Sequence, residues 1–419
     1  MSPRRTMVAA TLTVALAGPS HAQEKLAYLI PTLFGPNGLV VNSEARLPDG
    51  STHSAHFTSS FQTNFSPFNS ALASRLASVA LPSPASGFTY TFDPALGVFN
   101  RSTKSFGPLV TDRAETIGKN RVSIGTAYQD FSFTTLDGLD LGKVPTVFTH
   151  DNPVAGTGRD DVITADNAIA AQMAQFTTYL SFGVSDRVDI SVAVPLVSVD
   201  LAVSSHATIR RIGTVNPAVH FFYRPTGDTY GDDTTFRKSG HATGIGDVAL
   251  RLKAAAVQRP NLGLAVGVET RLPTGDEKNL LGAGAPAIKP FLVLSLPHGS
   301  FSPHLNAAYQ WNGRSLLGGD VLSGVKADLP DEAVVALGAD FAVNPKLSFA
   351  VDVVGRRVVN GERVLTDTFT ALNRTSRFPT VRFARSSYNL VDGAVGFKAN
   401  PGGGLLVNLN VTFKMNDGG

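Results

Sequence analysis

The residues best placed to do chemistry are charges at alternating positions. Arg251, Lys253, Glu269, Arg271, Lys289, Asp340, Asp352, Lys398 and Lys414, with His304, all fall on the polar parity of alternating segments. Successive side chains of a strand point to opposite faces, so each would sit on the same side of a sheet. The turn around 259–261 permits a register with Arg251 opposite Glu269, where opposite charges would pair. Such a face is either a polar track that selects solutes or a ladder that braces a narrow barrel, and both readings stay open. The remaining candidates offer less. His53 and His56 stand three apart in a polar stretch with no acidic or cysteine partner beside them, which fits a surface or hatch role better than a metal site. Asp276 and Glu277 have carboxylate oxygens that suit a hard cation, but Lys278 follows them and a solvated loop fits better. There is no G-x-S-x-G, H-E-x-x-H or G-x-x-x-x-G-K-S/T pattern, and the chain has no cysteine to serve as nucleophile or zinc ligand. The chain reads as a non-enzyme with no catalytic residues, no metal site and no cofactor.

The elements that would position these charges are short alternating strands. Leu262, Leu264, Val266, Val268, Thr270 and Leu272 share one face, while Gly263, Ala265, Gly267, Glu269 and Arg271 share the other. The same alternation runs through Val248–Lys253, Phe301–Asn312 and Val407–Met415, and more weakly through 121–134, 175–184, 188–199, 287–296, 334–343, 347–356 and 389–398. That predicts eleven strands. Lengths near ten residues suit a tilted crossing of a bilayer, and the polar face of Gly, Ala, Asn and isolated charges suits an enclosed lumen rather than bulk water. Tyr309 and Trp311 at one strand end suit an interfacial girdle. Short turns at 185–187, 259–261, 297–299, 344–346 and 400–404 alternate with long connections at 135–174, 204–241, 273–286, 313–331 and 358–386. The fold class is therefore all-β, a transmembrane antiparallel barrel of about 12 strands. An even number is the rule for such barrels, so either Phe88–Phe92 supplies a further strand or, as the reading prefers, a final strand is missing after Asn416.

Composition agrees with this class. The chain has 419 residues, is 43% hydrophobic and only 16% charged, and carries 40 glycines, which excludes a disordered tail protein and a coiled coil. Arg4 and Arg5, the apolar run Met7–Ala17 and Ser20-His21-Ala22 form an export signal over 1–22. The run is too short for a spanning helix. Without Arg4 and Arg5, Lys+Arg falls from 36 to 34 against 33 Asp+Glu, so the sequence pI near 9.0 signals no basic face and no nucleic-acid partner. Residues 23–118 do not alternate. A short helix capped by Ser66 and Pro67, with Phe68, Ala71, Leu72, Leu76 and Val79 on one face, suggests a hatch inside the barrel, though a periplasmic extension reads the same way. Phe61, Phe65, Phe68, Phe88, Tyr90 and Phe92 are its candidate apolar contacts, for a solute or for the barrel wall. The barrel itself spans 119–419.

Gly244-Ile245-Gly246-Asp247-Val248, Leu272-Pro273-Thr274-Gly275-Asp276 and Leu280-Leu281-Gly282 follow in order, after the turn Gly183-Val184-Ser185-Asp186-Arg187-Val188-Asp189. This set resembles the outer-membrane transporter family of the MetA pathway of phenol degradation, related to FadL-like hydrophobic-compound channels, over about 175–415. The resemblance implies a bacterial outer-membrane β-barrel for passive uptake of small hydrophobic or aromatic compounds. Its partners would be outer-membrane lipid and such a solute, and the barrel would be a monomer. The residues leave alternatives open: a porin for hydrophilic solutes, a structural or adhesin barrel, or a hydrolase barrel using a serine near His304.

Overall fold

The computed structural model describes residues 24–35, 38–41, 57–58, 90–93, 98–101, 104–213, 220–224 and 229–416. One large antiparallel sheet dominates them. Its long strands are β1 (Val122–Phe133), β2 (Val162–Ser185), β3 (Val188–Arg210), β4 (Asp233–Ile245), β5 (Val248–Arg259), β6 (Leu262–Leu272), β7 (Ala287–Ser295), β8 (Phe301–Asn312), β9 (Asp331–Asn344), β10 (Leu347–Thr370), β11 (Arg377–Gly402) and β12 (Leu405–Lys414). Each pairs with its chain neighbour except at one place. β4 pairs with Leu196–Thr208 of β3 and β5 with Val188–Ala193 of the same strand, so β4 and β5 form one line broken at Gly246-Asp247. Twelve strands thus fill the eleven positions expected. Turn chemistry sets the short connections: Ser185 Oγ accepts the Arg187 N–H at 3.2 Å and Asn344 Oδ1 the Lys346 N–H at 2.8 Å.

Toward the short turns the flanks of the sheet are β1 and β12, which run in the same direction; toward the long loops Val144–His150 pairs with β2 in place of β1, with Phe57–Thr58 beside it. No backbone pairing joins β1 and β12 among the described residues. They approach at the long-loop end, where Lys414 Nζ donates to Thr135 Oγ1 at 3.0 Å. The sheet is therefore curled, with a seam between its first and last strands. No helix among the described residues is long and apolar enough to cross a membrane.

The surface is inside out. Phe176, Leu180, Phe182 and Val184 on β2 and Ile190, Val194 and Leu196 on β3 are exposed, as are Leu250, Val266, Leu292, Leu305, Val335, Phe349 and Leu409 on later strands. The opposite parity is buried and polar, with Gln175, Thr177, Ser181, Asp189, Lys253, Ser295, His304, Asp340, Asp352 and Lys398. Residues 176–184, at about 3.3 Å each, cover about 30 Å of strand, or about 23 Å of height at a 40° tilt, which matches the apolar band of a membrane barrel.

Beyond that band the two faces exchange polarity. On β2 the inward parity becomes Ala165, Ile169, Ala171 and Met173, all buried, while Asp166, Ala170 and Gln172 turn outward. On β3 the inward parity becomes Val197, Val199, Leu201 and Val203, and Ser198, Asp200 and His206 turn outward. The expected long loops are corrected here. The connection at 358–386 is largely extension of β10 and β11, those at 135–174 and 204–241 contain long extensions of β2, β3 and β4, and 313–331 holds a hairpin of Arg314–Asp320 with Val325–Asp328. Alternation persists through them with the opposite sign, so a search for a lipid-facing stripe ends where the strand leaves the membrane.

Candidate functional site

The charges predicted from parity converge. Arg251 faces Glu269 in the ladder, and its Nε and Nη2 donate to Glu269 Oε2 at 2.9 and 2.6 Å. Arg251 Nη1 also donates to Asp112 Oδ2 at 2.6 Å, and the guanidinium lies 5.0 Å from the Phe291 ring centroid. Lys289 meets Glu269 Oε1 at 2.5 Å, across the register pair Glu269–Lys289. Arg271 reaches Asn312 Oδ1 at 2.9 Å and Asp247 at 3.8 Å. Lys414 stands apart from this group, exposed at the seam.

Much of this face serves a segment whose partners were not legible. Residues 104–119 run irregularly over it near the short-turn end, and their backbone groups are satisfied by single side chains of the strands. Phe106 N–H donates to Ser348 Oγ at 3.0 Å. The N–H groups of Leu109, Val110 and Thr111 all donate to Asp352 Oδ2, at 2.8, 2.6 and 3.1 Å, and Thr111 Oγ1 donates to Asp352 Oδ1 at 2.9 Å. Lys398 Nζ donates to the Pro108 carbonyl. Lys253 Nζ donates to the carbonyls of Arg113 and Glu115 at 3.0 and 2.7 Å. Asn306 exchanges hydrogen bonds with Asp112, and Asp189 accepts the Ile117 N–H at 3.0 Å. Each strand partner looks like an isolated polar residue in sequence.

Ser295, His304 and Asp340 form a chain. Ser295 Oγ and His304 Nδ1 are hydrogen-bonded at 2.8 Å, and His304 Nε2 lies 2.5 Å from Asp340 Oδ1. The order resembles a nucleophile–base–acid relay, but Ser295 is fully buried and its Oγ accepts the Ala114 N–H at 2.9 Å. A nucleophile must meet its substrate, whereas this hydroxyl meets the chain's own backbone and anchors it.

A second segment sits at the long-loop end. The helical turn α1 (Leu26–Leu29) and the following turn bury Leu26, Leu29, Ile30, Leu33 and Phe34 in one apolar cluster with Phe148, Ile163, Val199, Leu201, Leu280, Leu281 and Val381. Its polar edge is latched. Lys25 Nζ meets Asp276 Oδ2 at 2.8 Å, and Lys238 Nζ donates to Glu24 Oε2 at 2.7 Å and to Thr32 Oγ1 at 2.5 Å. Asp276 and Glu277 are therefore not merely solvated, as the sequence suggested: Glu277 Oε2 also accepts from Ser315 Oγ and the Leu316 N–H, at 3.1 and 3.2 Å. The three glycine-containing motifs form the knot that presents this loop. Asp247 accepts the N–H groups of Gly275 and Ala283 at 3.1 and 2.7 Å, and Thr274 Oγ1 donates to the Gly246 carbonyl at 2.6 Å. A Cβ on Gly282 would lie 2.2 Å from Asp247 Oδ1, so glycine is needed for this approach.

Burial works to raise the Glu24 and Asp276 carboxyls, but hydrogen bonds and charge from Lys238 with Thr32, and from Lys25, outweigh it and hold both below their ordinary values. Their contribution is complete above about pH 4.5 and is lost as the pH falls through the lowered values. Proteolysis within residues 24–34 of the intact protein is thus expected to accelerate below pH 4, and an unchanged rate from pH 7 to pH 3 would contradict the latch.

Phe61, Phe65, Phe68 and Phe88, the helix expected after Ser66, and His53 and His56 lie outside the described residues. Tyr90 and Phe92 fall on a strand paired with Val98–Arg101, of which only the backbone is described. No group of three or more His, Asp or Glu side chains arranged to hold a metal occurs among the described residues.

Among the solved structures similar to this chain are two outer-membrane proteins. An outer membrane channel from Pseudomonas putida F1 shares 11% identity, with 72% of this chain and 90% of that one covered and a TM-score of 0.39. The outer membrane protease OmpT from Escherichia coli shares 10% identity, with 70% and 95% covered and a TM-score of 0.22. No curated protein matches. The family described as "Putative MetA-pathway of phenol degradation" matches residues 151–417, a stretch that contains Arg251, Glu269 and Lys289 of the charge network, the Asp247 knot and most of the curled sheet, and the chain belongs to that family.

Proposed function

We propose that the protein is an outer-membrane channel for passive uptake of small hydrophobic or aromatic compounds, closed at rest by residues from its own 23–118 segment. The inverted surface carries this reading: an apolar band faces outward while the charged face is covered by backbone of residues 104–119. A sheet that meets hydrocarbon must pair its backbone groups within the wall, and this wall curls from β1 to β12 around an interior. The hatch is thus a floor of residues 104–119 near the short turns and a stopper of residues 24–34 near the long loops. Family membership favours a channel over an enzyme, and the burial of Ser295 agrees.

Planar-bilayer conductance separates this from a simple porin. The intact protein is expected to be nearly silent, and a form lacking 23–118 to conduct. Equal conductance of both would sink the hatch and leave an open pore for hydrophilic solutes.

A further inference from the structure

The cluster under α1 contains a feature that its packing role does not require. Phe34 is held edge-on between two other rings. Its centroid lies 5.2 Å from that of Phe148 at 83°, and 5.1 Å from that of Phe236 at 76°. The two partners stand on strands that flank β2 and β3, and both face inward. Phe148 lies on Val144–His150, which pairs with β2, and Phe236 on β4, which pairs with β3. Both are built into the sheet, whereas Phe34 is carried by a segment joined to it through side chains. That segment is held at its edge by ion pairs between half-exposed groups, Lys25 with Asp276 and Lys238 with Glu24, a kind of contact worth little in water. The cluster's other buried members are aliphatic or aromatic side chains.

We propose that the cleft between Phe148 and Phe236 is a receiving site for one uncharged aromatic ring and that Phe34 is its built-in occupant. A solute arriving from the long-loop end competes with residues 24–34 for the same place and displaces them as it binds. Edge-to-face partners on both sides select a flat ring over a branched aliphatic, and the apolar wall rejects a charged one through its desolvation cost. This deepens the channel reading, on which it rests: the solute that is to cross is also the one that lifts the stopper.

The chain has no cysteine, so a single introduced thiol reports on the segment. Ala27, on the inner face of α1, is fully buried. In the full-length Ala27→Cys protein in detergent micelles, maleimide labelling is expected to be slow and to rise at least tenfold on addition of toluene. Combining it with Phe148→Ala and Phe236→Ala is expected to abolish that response. Ile30→Cys provides a second buried reporter should the first not fold, and an exposed thiol at Thr375→Cys controls for effects of toluene on the micelle. No acceleration by toluene overturns the site, as does equal acceleration with and without the two phenylalanines, or an equal response to cyclohexanecarboxylate. Labelling does not depend on conductance. A protein that answers toluene yet stays silent without 23–118 would refute the channel and keep the site; a conducting protein deaf to toluene would do the reverse.

Discussion

Asp352→Ala is expected to release the floor segment and convert a silent channel into one that flickers open. One carboxylate oxygen accepts three consecutive backbone N–H groups, from Leu109, Val110 and Thr111, and the other accepts the Thr111 hydroxyl. Alanine leaves all of these donors without that partner in a buried place, at a cost of about 1–3 kcal/mol for each group that water does not reach. With these donors unpartnered, the backbone of 109–111 should lift from the wall between the anchors that Ser348 and Lys398 provide on one side and Asn306 and Lys253 on the other. Single-channel recordings would then show frequent openings absent from the parent, while the strands, which do not depend on this contact, keep their resistance to heating in detergent. Asp352→Asn keeps an acceptor and is expected to stay closer to the parent. Closed recordings from Asp352→Ala would contradict this account of the floor.

The second large effect belongs to Arg251. Its guanidinium bridges Asp112 of the floor and Glu269 of β6 in surroundings with little water. Removing one member of a buried ion network costs about 3–5 kcal/mol, because its partners stay charged. Glu269 retains Lys289 at 2.5 Å, which places Arg251→Met toward the lower end of that range. Unfolding in detergent and urea should show the loss. Adding Asp112→Asn to Arg251→Met should recover part of it, since the carboxylate that loses its guanidinium is neutralised while Glu269 keeps Lys289. If the double variant is less stable than Arg251→Met alone, the network contributes more than mutual neutralisation.

These contacts mark where sequence reasoning stops. The facing of Arg251 and Glu269 was legible because a tight turn fixes register and period-two alternation fixes sides. His304, Asp340, Asp352 and Lys398 could be assigned to the buried face on the same grounds, but not their partners. Asp352 lies more than two hundred residues from the three N–H groups it receives, and residues 104–119 carry no periodicity because their hydrogen bonds go to scattered side chains rather than to a ladder. The outer halves of β2, β3, β10 and β11 were missed for a different reason. Alternation continues through them, yet Val197–Val203 point inward where Ile190–Leu196 point outward. A reader who expects apolar residues to face lipid takes the change of sign for the end of the strand. The knot at Asp247 was visible only as three separated motifs, and their convergence is a fact of the folded chain.

That change of sign works as a depth gauge. Along β2 the outward stripe passes from Gln172 through Ala174 to Phe176 within two strand repeats, and along β3 from Leu196 to Ser198 in a single step. Were the molecule to ride two residues higher, about 6.6 Å of strand, the ring of Phe176 and the side chain of Leu196 would leave hydrocarbon for water. Were it to sink by more, Asp200 and Asp166 would be drawn toward lipid, where charged side chains are disfavoured more steeply the closer they come to the midplane. Both displacements are opposed, so the immersion of the wall is set by neighbouring residues on the same strands. Residues 24–34 and the proposed cleft between Phe148 and Phe236 therefore stand at a fixed height above the lipid, on the water side of the boundary, where a solute arriving from outside would meet them before it meets the charged interior.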